Sequence, residues 1–213
     1  KGGLANGQWE VYGDFERQAI FAQLSREDMF SLIRKYDNPS KFFLKINCRN
    51  TKQVGEETSL ISGFETPPFL LEYLEGIPVE YAFFNSPDQQ KELVIKQLNQ
   101  LFEKDLPRNE LIILSQRKFE NSCISSLSGI EIRNIKHTNE IVKEQEYLGF
   151  TTVQSYKGME CNYVIITDIV DLESETAKSL LYVAMSRARY GLIMLVSESV
   201  KDQYKKILRN KLN

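Results

Sequence analysis

The sequence predicts an α/β protein built on a mostly parallel sheet flanked by helices, and three observations predict it. Short apolar segments rich in β-branched residues alternate with amphipathic segments from Val79 onward, the order a parallel sheet with helical crossovers requires. Helix-start chemistry falls between them: Ser86, Pro87 and Gln89 supply a capping side chain, a first-position proline and a glutamine three after the cap. The chain is also large enough, at 213 residues and 42% hydrophobic content, to bury a substantial core.

In order, an apolar burst at Trp9 to Tyr12 and the loop "GDFER" lead into Gln18 to Phe30, where Ile20, Phe21, Leu24 and Phe30 make a helical stripe. A mixed polar stretch from Lys35 to Ser40 follows, and a domain boundary is expected there. "KFFLKI" (Lys41 to Ile46) reads as a buried strand and "TKQVGEETSLISGF" as a helix, whereas "TPPFLLEYLEGIP", punctuated by Pro67, Pro68, Gly76 and Pro78, reads as a connector. The regular alternation then runs through strand "VEYAFF", helix Pro87 to Lys104, strand "LIILS", a short helix near Cys123 and strand "IEIRNI". Strands "FTTVQS" and "YVIITDIV" precede "LLYVAMSRARYGL" (Leu180 to Leu192), read as a helix apolar nearly all round. Strand "LIMLVS" and a charged helix from about Val200 end the chain.

Charge and cysteine usage narrow the class. The 27 Lys and Arg nearly cancel the 29 Asp and Glu, and no basic tail advertises nucleic acid, although a groove needs only local charge. Cys48, Cys123 and Cys161 form no CxxC pair and have only His137 to help, which suits neither a disulfide framework nor a zinc site. Free thiols in a reducing cytoplasm are expected. Neither a membrane-length apolar run nor a signal peptide is present, and the start "KGGLANGQWE", without Met, is expected to belong inside a longer protein.

Ligands of open α/β sheets sit beyond the carboxyl ends of the strands, so the residues after each strand carry the chemistry. Those are Gly13, Asp14 and Gln18; "NCRNT" (Asn47 to Thr51); "QRK" after "LIILS"; and "QSYKGMEC" (Gln154 to Cys161). Arg187 and Arg189 precede the last strand, and at helical spacing Arg187 falls under Leu180, Val183 and Ala184. Each has a plainer reading. The arginines could cap a helix C-terminus, Gly158 could serve a turn, Asn47 could bond its own backbone, and Glu160 could be solvated. The acidic run "DIVDLESE" could bind a metal, but an acidic loop ahead of a helix is commoner. Pro87, Asp88, Glu92 and Lys96 match a nuclease signature poorly.

Taken in order, these blocks resemble the C-terminal half of a UvrD-type superfamily 1 helicase, from the third conserved motif to the last. "WEVYGDFERQAIF" resembles the strand-GD-x-x-Q motif, "INCRNT" the Asn-x-Arg block, "IILSQRK" the short strand block after it, "TTVQSYKGMECNYVIITD" the Thr-x-x-x-S-x-K-G-x-E block, and "LYVAMSRARYGL" the final arginine block. The resemblance implies a RecA-like fold, that of the second domain of a P-loop NTPase helicase, over 39–213. Residues 1–38 are then a remnant of the end of the first RecA-like domain, with the linker. It implies catalytic roles for Arg187, Arg49 and Gln18, ATP contacts from Asp14, Gly158, Glu160 and Arg187, and nucleic-acid contacts from Thr152, Gln154, Ser155, Lys157 and Arg117.

ATP with Mg2+ is the implied ligand of the full-length protein, with none expected on this chain alone and no metal site of its own. The implied partners are single-stranded nucleic acid, DNA before RNA, and the N-terminal ATPase domain of the same protein, with no membrane. If both arginines serve one γ-phosphate, they should share one sheet edge with Glu160, Arg187 having a buried stem and an exposed head. No G-x-x-x-x-G-K-[ST] occurs, and too few residues separate Arg49 from Thr152 for a large accessory domain. A helicase-fold binding or regulatory domain without ATP turnover is the alternative, and a metal-dependent nuclease on the acidic loop a weaker third.

Overall fold

A computed structural model describes residues 10, 26–35, 40, 42, 46–65, 76–136 and 147–212. The expected features at Trp9, Gly13, Asp14, Gln18, Pro67, Pro68 and His137, and most of the expected strand Lys41 to Ile46, lie outside the described residues. The chain divides into two compact units, Lys1–Lys45 and Ile46–Asn213. In the first unit, helix α1 (Arg26–Arg34) carries Glu27 and Asp28 in its first turn and Arg34 in its last, charges that complement the helix dipole. It runs past Phe30, the expected end.

The second unit is a six-stranded, wholly parallel sheet. In chain order the strands are β1 (Glu80–Phe84), β2 (Leu111–Ser115), β3 (Ile132–Asn134), β4 (Leu148–Thr152), β5 (Cys161–Ile169) and β6 (Ala188–Ser197), arranged β1-β6-β5-β2-β4-β3. Every pairing is parallel. The helices are α2 (Lys52–Ser62), α3 (Pro87–Phe102), α4 (Glu175–Met185) and α5 (Lys201–Leu212). All five residues of β2 are buried, as its unbroken apolar run demands of a strand covered on both faces.

Local chemistry sets the element ends. Ser86 accepts from Gln89 N at 3.2 Å to start α3, whose buried residues Gln90, Val94, Leu98 and Leu101 recur at helical spacing. They join Ile113, Phe150, Ile165, Ile193 and Leu195 in the core on one face of the sheet. Neighbouring strand residues such as Ile112, Leu114, Val164 and Met194 alternate to the other face and are buried too. There α2 packs on α4 and β6. Gly63, in left-handed conformation at φ 72°, closes α2 through its N–H to Ser59 O at 2.9 Å. Strand β4 stops at Thr152 instead of continuing to Ser155, because Thr152 Oγ1 accepts from Ser155 N and folds the chain into turns. The expected short helix near Cys123 is a pair of 3-10 turns, Phe119–Asn121 and Cys123–Ser126.

One expected element is corrected. Leu180 to Leu192 is not one helix: α4 ends at Met185, Ser186 and Arg187 form a turn, and β6 begins at Ala188. Arg187 is therefore on no helical stripe. No helix among the described residues is long and apolar enough to cross a membrane.

Candidate functional site

Because β5 and β6 are parallel, residues just before them share the amino-terminal edge of the sheet. Cys161 opens β5 opposite Ala188 of β6, and Cys161 N donates to Arg187 O at 3.0 Å. Glu160 and Arg187, each one residue earlier, meet there. The segment Asn47 to Thr51 docks onto the same edge: Thr51 N donates to Arg189 O at 2.9 Å, and Asn50 Nδ2 donates to Ser186 O at 3.2 Å and also to Ala188 O. Asn47 Oδ1 accepts from Arg49 N and Asn50 N, at 3.0 and 3.2 Å, and this turn presents Arg49.

The result is a charged cluster drawn from three segments. Arg49 Nε donates to Glu160 Oε2 at 2.8 Å, a pair 111 residues apart in sequence, and Arg189 Nε lies 3.7 Å from Glu160 Oε1. Two guanidiniums thus gather around one carboxylate, and Arg187 lies near enough to feel the charges of Arg49 and Glu160. The expectation that ligand chemistry lies beyond the carboxyl ends is corrected for Arg49, Glu160, Arg187 and Arg189, which all stand at the opposite edge.

Arg187 also departs from expectation in its head group, which is not exposed. The residue is 1% exposed. Its Nε donates to Val183 O, Nη1 to Met159 O and Nη2 to Ser186 Oγ, each at 3.0 Å. Val183 is in the last turn of α4, so the capping interaction is real. The acceptors are all neutral. Burial, and next the neighbouring Arg49, pull its pKa down from 12.5 to about 10, so it stays protonated at neutral pH.

Thr152 and Arg117 stand at the carboxyl-terminal edge, and the turns from Gln154 to Gly158 lead from there to Met159, whose O accepts from Arg187 Nη1 at the opposite edge. Ser115 of β2 is in register with Thr152 of β4, and Val153 N donates to Ser115 O at 3.0 Å. Exposed Arg117 follows β2; Gln154, Ser155 and Lys157 occupy the exposed turns after Thr152. Gly158 sits at φ 88° in that run, the left-handed turn its type permits. Gly13, Asp14 and Gln18 lie outside the described residues.

The acidic run is accounted for residue by residue. Asp168, buried at a positive φ of 62° where β5 is irregular, accepts from Ser115 Oγ at 2.7 Å, Ser122 Oγ at 2.6 Å and Thr167 Oγ1 at 3.0 Å. Asp171 accepts from Glu173 N and Ser174 N, and its pKa is lowered first by the Ser174 side chain and then by these N–H groups, while Glu173 pairs with Lys206 and Glu175 with Lys178. No group of three or more His, Cys, Asp or Glu placed to hold a metal occurs among the described residues.

Sequence reasoning named the segments that hold Asn50 and Asp168 but missed the role of each, a backbone clamp and a buried hydroxyl acceptor. Two asparagines three apart around an arginine were the available signal for the first. The second carried none, since its role depends on a bulge.

Comparison with known proteins bears on the fold and on one stretch of the sequence. Residues 147–195 match the family model of the UvrD-like helicase C-terminal domain, a span that holds β4, Glu160, β5, α4 and Arg187. No match was found among curated protein sequences. In fold, the chain is similar to the C-terminal domain of a possible DNA helicase from Lactobacillus plantarum WCFS1, with a TM-score of 0.56 and 19% identity over 72% of this chain and 89% of that one. The Thr-x-x-x-S-x-K-G-x-E and arginine blocks both lie in the stretch that is similar to the UvrD-like helicase C-terminal domain, and the wholly parallel sheet is the fold shared with the bacterial structure.

Proposed function

We propose that this chain is the arginine-bearing second half of an ATP-dependent motor on single-stranded nucleic acid, DNA before RNA. One observation carries the reading: the two motif arginines and Glu160, from separate segments, meet at one sheet edge, while the nucleic-acid candidates Thr152 and Arg117 follow strands at the other. A motor needs such separation, with nucleotide on one surface and track on another.

Phosphoryl transfer depends mainly on neutralising charge around the γ-phosphate. Arg49, half-exposed, is the guanidinium that reaches out to it, and its fork suits phosphate oxygens. Arg187 acts from behind: three of its five N–H groups are held by the protein, and among the described residues no carboxylate is hydrogen-bonded to it. Glu160 exchanges Arg49 for the ribose hydroxyls. Asp14, Gln18 and Gly158 complete the nucleotide contacts in this reading, with ATP and its Mg2+ carried on a facing RecA-like domain, where the ion adds to the charge neutralisation. Thr152, Gln154, Ser155, Lys157 and Arg117 hold the nucleic-acid backbone.

The test is binding of inorganic tripolyphosphate to the chain, followed by NMR titration. Weak binding is expected, falling about tenfold in Arg49→Ala and rising in Glu160→Gln, which frees Arg49. No binding at all, or binding indifferent to both substitutions, refutes the phosphate site. Retained single-strand binding in that case favours the regulatory-domain alternative.

A further inference from the structure

We propose that Tyr190, braced by Tyr163, is the surface on which the base of a nucleotide stacks beside the arginine cluster. The inference rests on the reading of that cluster as a phosphate site.

A cavity of about 380 Å³ opens at the amino-terminal edge, lined by Arg49 and Arg189 together with Asn162, Tyr163 and Tyr190. Its volume falls within the roughly 300–1,000 Å³ of small-molecule sites. It therefore extends directly from the guanidiniums around Glu160 to an aromatic wall. Tyr190 is 38% exposed, one of few large apolar side chains so exposed among the described residues, and it stands on a strand whose next six residues are buried.

Two features show that this wall is built. Tyr163 meets Tyr190 edge to ring, with centroids 5.7 Å apart and planes at 63°, an arrangement that fixes ring orientation. Gly191 makes that possible, because a Cβ at this position would run into the Tyr163 ring. The polar groups of the wall complement a base or ribose. Asn162 offers an amide, Glu110 a carboxylate, and Thr51, 2% exposed, a buried hydroxyl with no hydrogen-bond partner among the described residues. Arg189 and Tyr190 both line this cavity, so charge and stacking surface adjoin within it.

Stacking on an aromatic side chain tolerates any base, since each has a π-face, and is worth about five- to a hundred-fold in affinity. The experiment compares ATP with tripolyphosphate on the 213-residue chain by NMR titration, with thermal unfolding to confirm that each variant folds. The unsubstituted chain should prefer ATP by about tenfold. Tyr190→Ala should erase that preference while leaving tripolyphosphate affinity unchanged, and Tyr190→Phe should retain it. Equal affinity for the two ligands in the unsubstituted chain overturns the inference. So does a Tyr190→Ala variant that keeps the preference, or that loses both ligands in the same proportion. In those cases the phosphate site stands; absence of tripolyphosphate binding removes that site and the base surface with it.

Discussion

Replacing Arg187 with alanine separates its structural work from its charge. At neutral pH the guanidinium is held inside the protein, and displacement of its pKa from 12.5 to about 10 corresponds to a cost on the order of 3 kcal/mol. Against this stand three hydrogen bonds from a charged donor, at roughly 1.5–3 kcal/mol each. The bonds win by several kcal/mol. Alanine relieves the cost but strips Met159 O of this donor and leaves a void where the stem packed; Val183 O keeps Ser186 Oγ as a donor. The expected net loss is roughly 3 kcal/mol, or about 6–12 °C in Tm for a domain of this size. Urea unfolding at pH 7, followed by circular dichroism, reads it directly, and urea leaves the electrostatics unscreened. Arg187→Lys should fall in between, keeping the charge without the fork. A loss within about 0.5 kcal/mol for Arg187→Ala would place the residue among inert surface positions and refute the account of its burial.

Three further outcomes are expected. The chain by itself should hydrolyse no ATP, since its sequence holds no phosphate-cradling loop; turnover above background in a phosphate-release assay that survives Arg49→Ala would contradict this. Binding to labelled oligodeoxythymidylate, followed by anisotropy, should be weak and fall steeply with salt, with Arg117→Ala lowering the salt slope by about one; tight binding indifferent to salt would point to another mode. Burial pushes the thiols of Cys123 and Cys161 up to about 12 and about 11, whereas Cys48 is exposed. A maleimide at pH 8 should therefore modify Cys48 first. Because the folded values of the buried thiols are raised, their contribution to stability is present below pH 9 and is lost as pH rises through about 11. A Cys161→Ala chain that loses stability just as steeply over that interval would contradict the assignment.

The sheet was legible where composition admits one reading. "LIILS" coincides with β2 because five apolar residues between turn signals fit a buried strand and are too few for a helix. The Ser86 start of α3 was equally plain. The boundary at Ser186 was not, because Ala184, Met185 and Ala188 suit a buried helix and a buried strand alike, and only the tertiary partner of each residue decides. Arg187 was legible as preceding the last strand; the edge it occupies was not, because in a parallel sheet such residues face the edge opposite to the one where α/β ligands are usually sought. Arg49 and Glu160 were expected to share one edge and they do; their direct ion pair was not legible, since it depends on Asn50 clamping the backbone of Ser186 and Ala188.

The buried arginine shows why capping a helix and serving a phosphate are not competing roles. A guanidinium paired with an internal carboxylate would be electrically cancelled, and its site would offer an anion nothing. Arg187 instead spends its hydrogen bonds on Val183 O, Met159 O and Ser186 Oγ, dipoles that satisfy its donors and leave its charge in place. Its pKa is depressed first by burial and next by the positive charge of Arg49, while Glu160 is shared between Arg49 and Arg189. An arriving phosphate would relieve repulsion already built into the fold, with no reorganisation of Arg187. The capping bonds are what hold that charge still. Tripolyphosphate should therefore raise the Tm of the unsubstituted chain more than that of Arg187→Ala, beyond any difference due to Arg49, and an equal rise in both would mean that the buried charge does not reach the site.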